Sequence, residues 1–99
     1  MAVYLFTSYD ILDQERYASY VPNVLPIMEK YGGEILSADT EAQMVDGEPK
    51  DINVILKFPT EEDASLMMQD PDYLPWLNLR LETTTNRLSV FMKGFVPPT

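Results

Sequence analysis

The segment Asp51–Met68, DINVILKFPTEEDASLMM, constrains the fold more than any other part of the chain. Ile52–Phe58 is short, apolar and rich in β-branched residues, the composition of a strand buried over most of its surface. Pro59 has no N–H to give to a ladder and ends the strand. Thr60 then reads as a helix N-cap, and Glu61, Glu62 and Asp63 place negative charge in the first turn, where the helix dipole favours it. Ala64, Met67 and Met68 mark the buried stripe of that helix. A strand that passes through two residues into an amphipathic helix is one half of a layered α+β domain.

The flanking sequence supplies the other half. Val3–Ile11 has strand composition, and alternation separates Val3, Leu5, Thr7 and Tyr9 from Tyr4, Phe6, Ser8 and Asp10. Asp13 caps a helix predicted over Gln14–Tyr31, in which Pro22 and Pro26 each remove a backbone hydrogen bond and set a bend near Pro22. That bend either wraps the helix over the sheet or opens a pocket. Gly32-Gly33 provides the left-handed residue that ends the helix. Glu34–Val45 reads as a strand with a bulge or bend at Asp39-Thr40, and Asp46-Gly47 as a turn. Asp70-Pro71 predicts a second helix restarting there, with Leu74, Leu77 and Leu81 as its inward stripe and Pro75 disturbing its first turn. Thr83–Thr85 end it. Asn86–Lys93 is the last strand and Gly94–Thr99 a loose tail. Strand, helix, strand, strand, helix, strand is the ferredoxin-like βαββαβ order: a four-stranded antiparallel sheet with its helices on one face.

A chain of 99 residues is a single domain, 1–99, with its core over about 3–95. Its 45% hydrophobic and 11% aromatic content exceeds what one thin layer can bury, so a second subunit is expected on the open sheet face. Ile52, Val54, Leu56 and Phe58 belong under the helices, which leaves Asn53, Ile55 and Lys57 with Tyr4, Phe6, Ser8 and Asp10 on the open side. The last strand offers Leu88, Val90 and Met92 on one face and Arg87, Ser89, Phe91 and Lys93 on the other. Two such sheets closing on each other make a dimeric α/β barrel, with room for a small cavity between them.

The inventory excludes much chemistry. With no histidine and no cysteine, Ser-His-Asp and Cys-His catalysis, disulfides and zinc sites of the usual kind are absent, and no metal or cofactor is expected. A net charge of -9 gives nucleic-acid or anionic-membrane binding no electrostatic support. Without a long apolar run, a cytoplasmic location is expected.

Tyr17 and Tyr20, the Tyr31-Gly32-Gly33 helix end, the strand ending Lys57-Phe58-Pro59-Thr60, Asp70-Pro71-Asp72-Tyr73 and Arg80 occur together in this order. Over about Val3–Phe95 the pattern resembles the family known as domain of unknown function 1330, within the dimeric α/β-barrel superfamily. The resemblance implies a ferredoxin-like protomer and a homodimer joined through its sheets, but no defined reaction. Superfamily relatives include cofactor-free antibiotic-biosynthesis-type monooxygenases and muconolactone-isomerase-like proteins.

Arg80, beside the leucine stripe, needs either a ligand carboxylate or a protein partner such as Asp10 or Glu82, unless its charged end snorkels to water. Asn53, Lys57, Ser8 and Arg87 could converge on a cavity, or could bridge the dimer seam and face water. Tyr4, Tyr9, Tyr17, Tyr73 and Trp76 could line an aromatic site, or could be core and interface. The expected ligand is a small, partly aromatic or carboxylated molecule. If the chain is an enzyme, the chemistry is cofactor-free isomerisation or oxygenation, with Arg80 or Asn53 orienting the substrate and Asp10 or a tyrosine carrying the proton. The alternative is a non-catalytic interaction module with a filled barrel.

Overall fold

A computed structural model describes residues 1–98. The elements are β1 (Val3–Ile11), α1 (Gln14–Tyr17), α2 (Tyr20–Lys30), β2 (Glu34–Asp39), β3 (Ile52–Phe58), α3 (Glu61–Gln69), α4 (Leu74–Thr83) and β4 (Thr84–Lys93). They form one antiparallel sheet in the order β2-β3-β1-β4, the ferredoxin-like α+β arrangement that the sequence order implies. Thr99, the last residue of the expected tail, lies outside the described residues.

β1 and β3 run over the expected residues, and the Thr60 cap forms as read, its hydroxyl oxygen accepting the Asp63 amide at 3.1 Å. Four other local readings are corrected. The first helix breaks at Ala18-Ser19, one turn before Pro22. Pro22 thereby falls in the first turn of α2, where its missing N–H costs nothing. Pro26 remains inside α2 and leaves only the Pro22 carbonyl without its i+4 donor.

β2 stops at Asp39, because the Asp39 carboxylate accepts the Glu41 amide at 2.7 Å and turns the chain away from the sheet. Its register shift lies between Ile35 and Ser37, and of the bulge or bend expected at Asp39-Thr40 the bend is what forms. Asp70 closes a turn by accepting the Asp72 amide at 2.8 Å, so α4 begins at Leu74, with Pro75 in the first-turn position that proline suits. The inward side of α4 carries Leu77, Arg80 and Thr83, extended by Tyr73 just before it, while Leu74 and Leu81 are exposed.

α2 ends in a paired-bond helix stop: the Gly32 amide donates to Glu29 O and the Gly33 amide to Met28 O, both at 3.0 Å. Gly32 has φ +74, and a Cβ on Gly33 would lie 2.4 Å from Met28 Cγ and 2.9 Å from Phe58 Cε1. Only glycine lets the end of α2 lie this close to β3. Behind this stop, Phe58, Met28, Met67, Ala64 and Val24 form the core between helices and sheet.

The register assigns the two sheet faces. Leu5 pairs with Leu56 and Phe91, and Thr7 with Val54 and Ser89, so these residues share the helix side. Tyr4 pairs with Met92, Phe6 with Val90, and Ser8 with Leu88, so the wholly apolar set of β4 joins Tyr4, Phe6 and Ile55 on the open face. Leu88, Val90 and Met92 are all exposed there.

Candidate functional site

A cavity of about 430 Å³ lies between the helices and the sheet of a single protomer. The sequence reading put the cavity on the opposite side, between two sheets; within this chain it lies under α2 and α4. Its floor is Leu5, Thr7 and Tyr9 of β1 with Ile52, Val54 and Leu56 of β3. α2 roofs it with Val24 and Met28, and the mouth opens at Val21, Ile35 and Asp39. Strand alternation explains the floor, because every second residue of β1 and β3 faces the helices and, Thr7 apart, these residues are apolar or aromatic. The break at Ala18-Ser19 explains one end, because it lets Tyr17 and Tyr20 both point into the same space, with rings stacked at 5.6 Å.

At that end the walls become polar in a regular way. The Tyr9 and Tyr17 hydroxyls meet at 2.5 Å, and the Tyr20 and Tyr73 hydroxyls at 3.0 Å. On the floor the Thr7 and Ser89 hydroxyls meet at 2.8 Å. Arg80 enters from α4, its guanidinium carbon 5.7 Å from the Tyr9 ring centroid, a cation–π arrangement. Burial, then the Tyr17 hydrogen bond, pushes the Tyr9 hydroxyl far above the usual tyrosine range. Burial does the same to Tyr20, reinforced by Tyr73. Tyr17 also rises, chiefly by burial, against the opposing pull of Tyr9 and Arg80. These tyrosines are neutral donors. Burial works against the charge on Arg80, but Tyr20, Tyr73 and Tyr9 outweigh it and hold the guanidinium above its ordinary value.

The protein partners allowed for Arg80 by the sequence are engaged elsewhere. Glu82 pairs with Arg16 at 2.6 Å. Asp10 accepts the Asp51 amide at 3.0 Å and the Asn86 side-chain amide at 2.9 Å. Those bonds, the Asn86 one first, hold the Asp10 carboxyl below its usual range. Among the described residues no carboxylate lies within ion-pair distance of Arg80.

Of the residues singled out in the sequence, Arg80 and three of the tyrosines, Tyr9, Tyr17 and Tyr73, reach this cavity. Tyr4, Ser8, Asp10, Asn53 and Lys57 share the other sheet face. Asn53 donates to Lys50 O at 2.9 Å and Asp39 O at 3.3 Å. Arg87 closes the α4–β4 junction, donating to Thr84 O at 2.6 Å. The expected convergence of Asn53, Lys57, Ser8 and Arg87 therefore does not occur within the protomer. Trp76 is half-buried against the core and stays out of the cavity.

Tyr20, Thr7 and Ser89 were not singled out as site residues. Tyr20 had a signal, since it lies with Tyr17 and Val24 on one helical face; the Thr7–Ser89 pair depends on strand register and had none. No three acidic side chains converge as a metal site among the described residues, and no helix is long and apolar enough to cross a membrane.

Comparison with known proteins places the fold. A protein of unknown function from Rhodopseudomonas palustris superposes with a TM-score of 0.85 at 19% identity, over 97% of this chain and 84% of that one. A dimeric ferredoxin-like protein of unknown function from Jannaschia matches at TM-score 0.79 and 10% identity, over 95% of this chain and 100% of that one. SnoaB, a cofactor-independent oxygenase from Streptomyces nogalater, matches at TM-score 0.69 and 8% identity, over 97% of this chain and 95% of that one. No curated protein is significantly similar in sequence. The model of the domain of unknown function DUF1330 matches residues 2–95, and the chain belongs to that family.

Proposed function

We propose that the chain is a homodimer in which each protomer binds one small, largely aromatic molecule carrying an acidic oxygen, in the cavity between helices and sheet. The observation that carries the reading is Arg80: a half-buried cation on an apolar-walled cavity, with no carboxylate partner among the described residues. The tyrosines offset the partial burial of Arg80, but no carboxylate neutralises its charge, which leaves the guanidinium able to pair with an acidic ligand. A cavity of about 430 Å³ suits a compact ligand of one or two rings, within the range of small-molecule sites. The ring lies among Leu5, Val54, Val24 and Met28, and its acidic group meets Arg80 and the tyrosine hydroxyls. Any catalysis is cofactor-free and uses Arg80 and the tyrosines for orientation; Asp10 lies on the wrong face to carry a proton. The likeness to a cofactor-independent oxygenase is compatible with such chemistry and carries no more weight than a shared fold.

The dimer follows from the open face, where Tyr4, Phe6, Ile55, Leu88, Val90 and Met92 form an apolar patch too extensive for a small monomer. The fold neighbour from Jannaschia is itself dimeric.

Benzoate and larger aromatic acids test the ligand reading by their effect on the melting temperature and by calorimetric titration. Saturable binding of at least one of them, lost in Arg80→Met, is the expected result. A panel that binds nowhere overturns it and favours an interaction module.

A further inference from the structure

The polar end of the cavity sets hydroxyl pairs beside a cation that no carboxylate among the described residues neutralises. Each hydroxyl pair, Tyr9–Tyr17, Tyr20–Tyr73 and Thr7–Ser89, uses one proton to bind its partner. A hydroxyl carries one proton and acceptor lone pairs, so every pair retains one O–H to donate as well as oxygen lone pairs. Arg80 adds N–H donors and no acceptor. The groups facing it are Tyr9 from β1, Tyr17 from α1, Tyr20 from α2 and Tyr73 from the turn before α4. The carboxylate in the lining, Asp39, sits at the exposed mouth with one oxygen on the Glu41 amide. One free hydroxyl proton from each pair and a guanidinium that no carboxylate neutralises thus face the space. A neutral alcohol or phenol can hydrogen-bond to the hydroxyls, but only its anion pairs with the Arg80 charge.

We infer that the cavity binds weakly acidic phenols and enols as their oxyanions, drawing the proton off the ligand on binding. This rests on the ligand reading above and names the substrate class for that site. A carboxylate arrives already ionised, so the Arg80 charge changes nothing in its protonation. With a phenol or enol the positive charge favours the ionised form, and the ligand O–H bond breaks. The electron pair stays on the oxygen against Arg80 and the hydroxyls, and the proton leaves to solvent through the mouth at Val21, Ile35 and Asp39. Such a bound anion is an electron-rich ring held away from water, the form from which cofactor-free isomerisation proceeds.

The probe is para-nitrophenol, colourless as the acid and yellow as the anion, with para-nitroanisole as the ether that cannot ionise. The expected result is a spectrum of bound nitrophenol that turns to the anion's below the free phenol's pKa. The apparent ligand pKa falls by about one unit or more, equivalent to a tenfold preference for the anion. Arg80→Met abolishes the shift, and Arg80→Lys retains part of it. Nitroanisole binds at least tenfold more weakly than nitrophenol. Bound nitrophenol with the spectrum of the acid, or nitroanisole bound equally well, overturns the inference. The ether comparison needs only the wild-type protein, so it decides the matter even where Arg80→Met does not fold. If benzoate binds and nitrophenol binds as the acid, this inference falls and the ligand reading stands; if no aromatic probe binds, both fall.

Discussion

Replacing Arg80 by methionine should leave the empty protein at least as stable and weaken ligand binding. Exchanging buried charged groups for apolar side chains of similar volume is neutral or stabilising, by up to about 1–4 kcal/mol. Arg80 is only half-buried, which places it near the lower end of that range. Against this stands the cation–π contact with Tyr9, worth about 0.5–1 kcal/mol. The net gain is then about 0–0.5 kcal/mol, a rise of roughly 0–4 °C in melting temperature for a domain of this size. The charge-assisted hydrogen bonds lost with the guanidinium are worth about 1.5–3 kcal/mol, so benzoate affinity falls roughly 10- to 150-fold. Thermal unfolding with and without benzoate reads both effects in one assay, at fixed protein concentration because the midpoint of a dimer depends on it. A variant that melts several degrees below wild type and binds benzoate unchanged would make Arg80 a packing residue and refute the reasoning.

Four further outcomes follow from the geometry. Tyr9, Tyr17 and Tyr20 have folded-state pKa values above the unfolded 10.0, so their contribution to stability is complete below about pH 10 and declines as pH rises beyond it. Ultraviolet titration should show these three ionising only on unfolding; normal reversible ionisation of all the tyrosines in the native protein would refute it. Asp70, held below the usual carboxylate value of 3.8 chiefly by the Tyr31 hydroxyl, contributes stability that is lost as pH falls through its depressed value. Asp70→Asn should therefore lower the melting temperature at neutral pH and by less in acid, and a loss independent of pH would contradict it. Gly33→Ala drives a Cβ into Met28 and Phe58 and should destabilise by about 1–3 kcal/mol in chemical denaturation. Val90→Glu places a charge in the open-face patch and should give a one-subunit mass by light scattering, with an unchanged far-ultraviolet circular dichroism spectrum.

What the sequence made legible depended on whether the deciding contacts were local. Thr60 capping Asp63, the Gly32-Gly33 stop and the alternation of β1 and β3 involve neighbours a few residues apart, and each could be read directly. The end of β2 was also local, but an aspartate one residue before a threonine permits a bulge as readily as a turn. The stripe of α4 was misread because leucines were assumed to face inward, whereas Tyr73, Arg80 and Thr83 do so and Leu74 and Leu81 remain outside. Arg80 was identifiable from its place in an apolar helix. Its companions were not, because placing Thr7 opposite Ser89, or Tyr20 against Tyr73, requires the register of strands and helices far apart in sequence. The site was sought on the open sheet face because Asn53 and Lys57 are the polar residues of the central strand. The tyrosines on the covered face, half apolar and half polar, gave no comparable contrast in the pattern.

Co-crystallisation with para-bromobenzoate tests the central claim most directly, since the anomalous signal of bromine locates the ring without interpretation. The account requires bromine among Leu5, Val54 and Met28 inside each protomer, with the carboxylate on Arg80. Bromine between the two sheets, or a cavity closed over with Arg80 turned out to solvent, would contradict it.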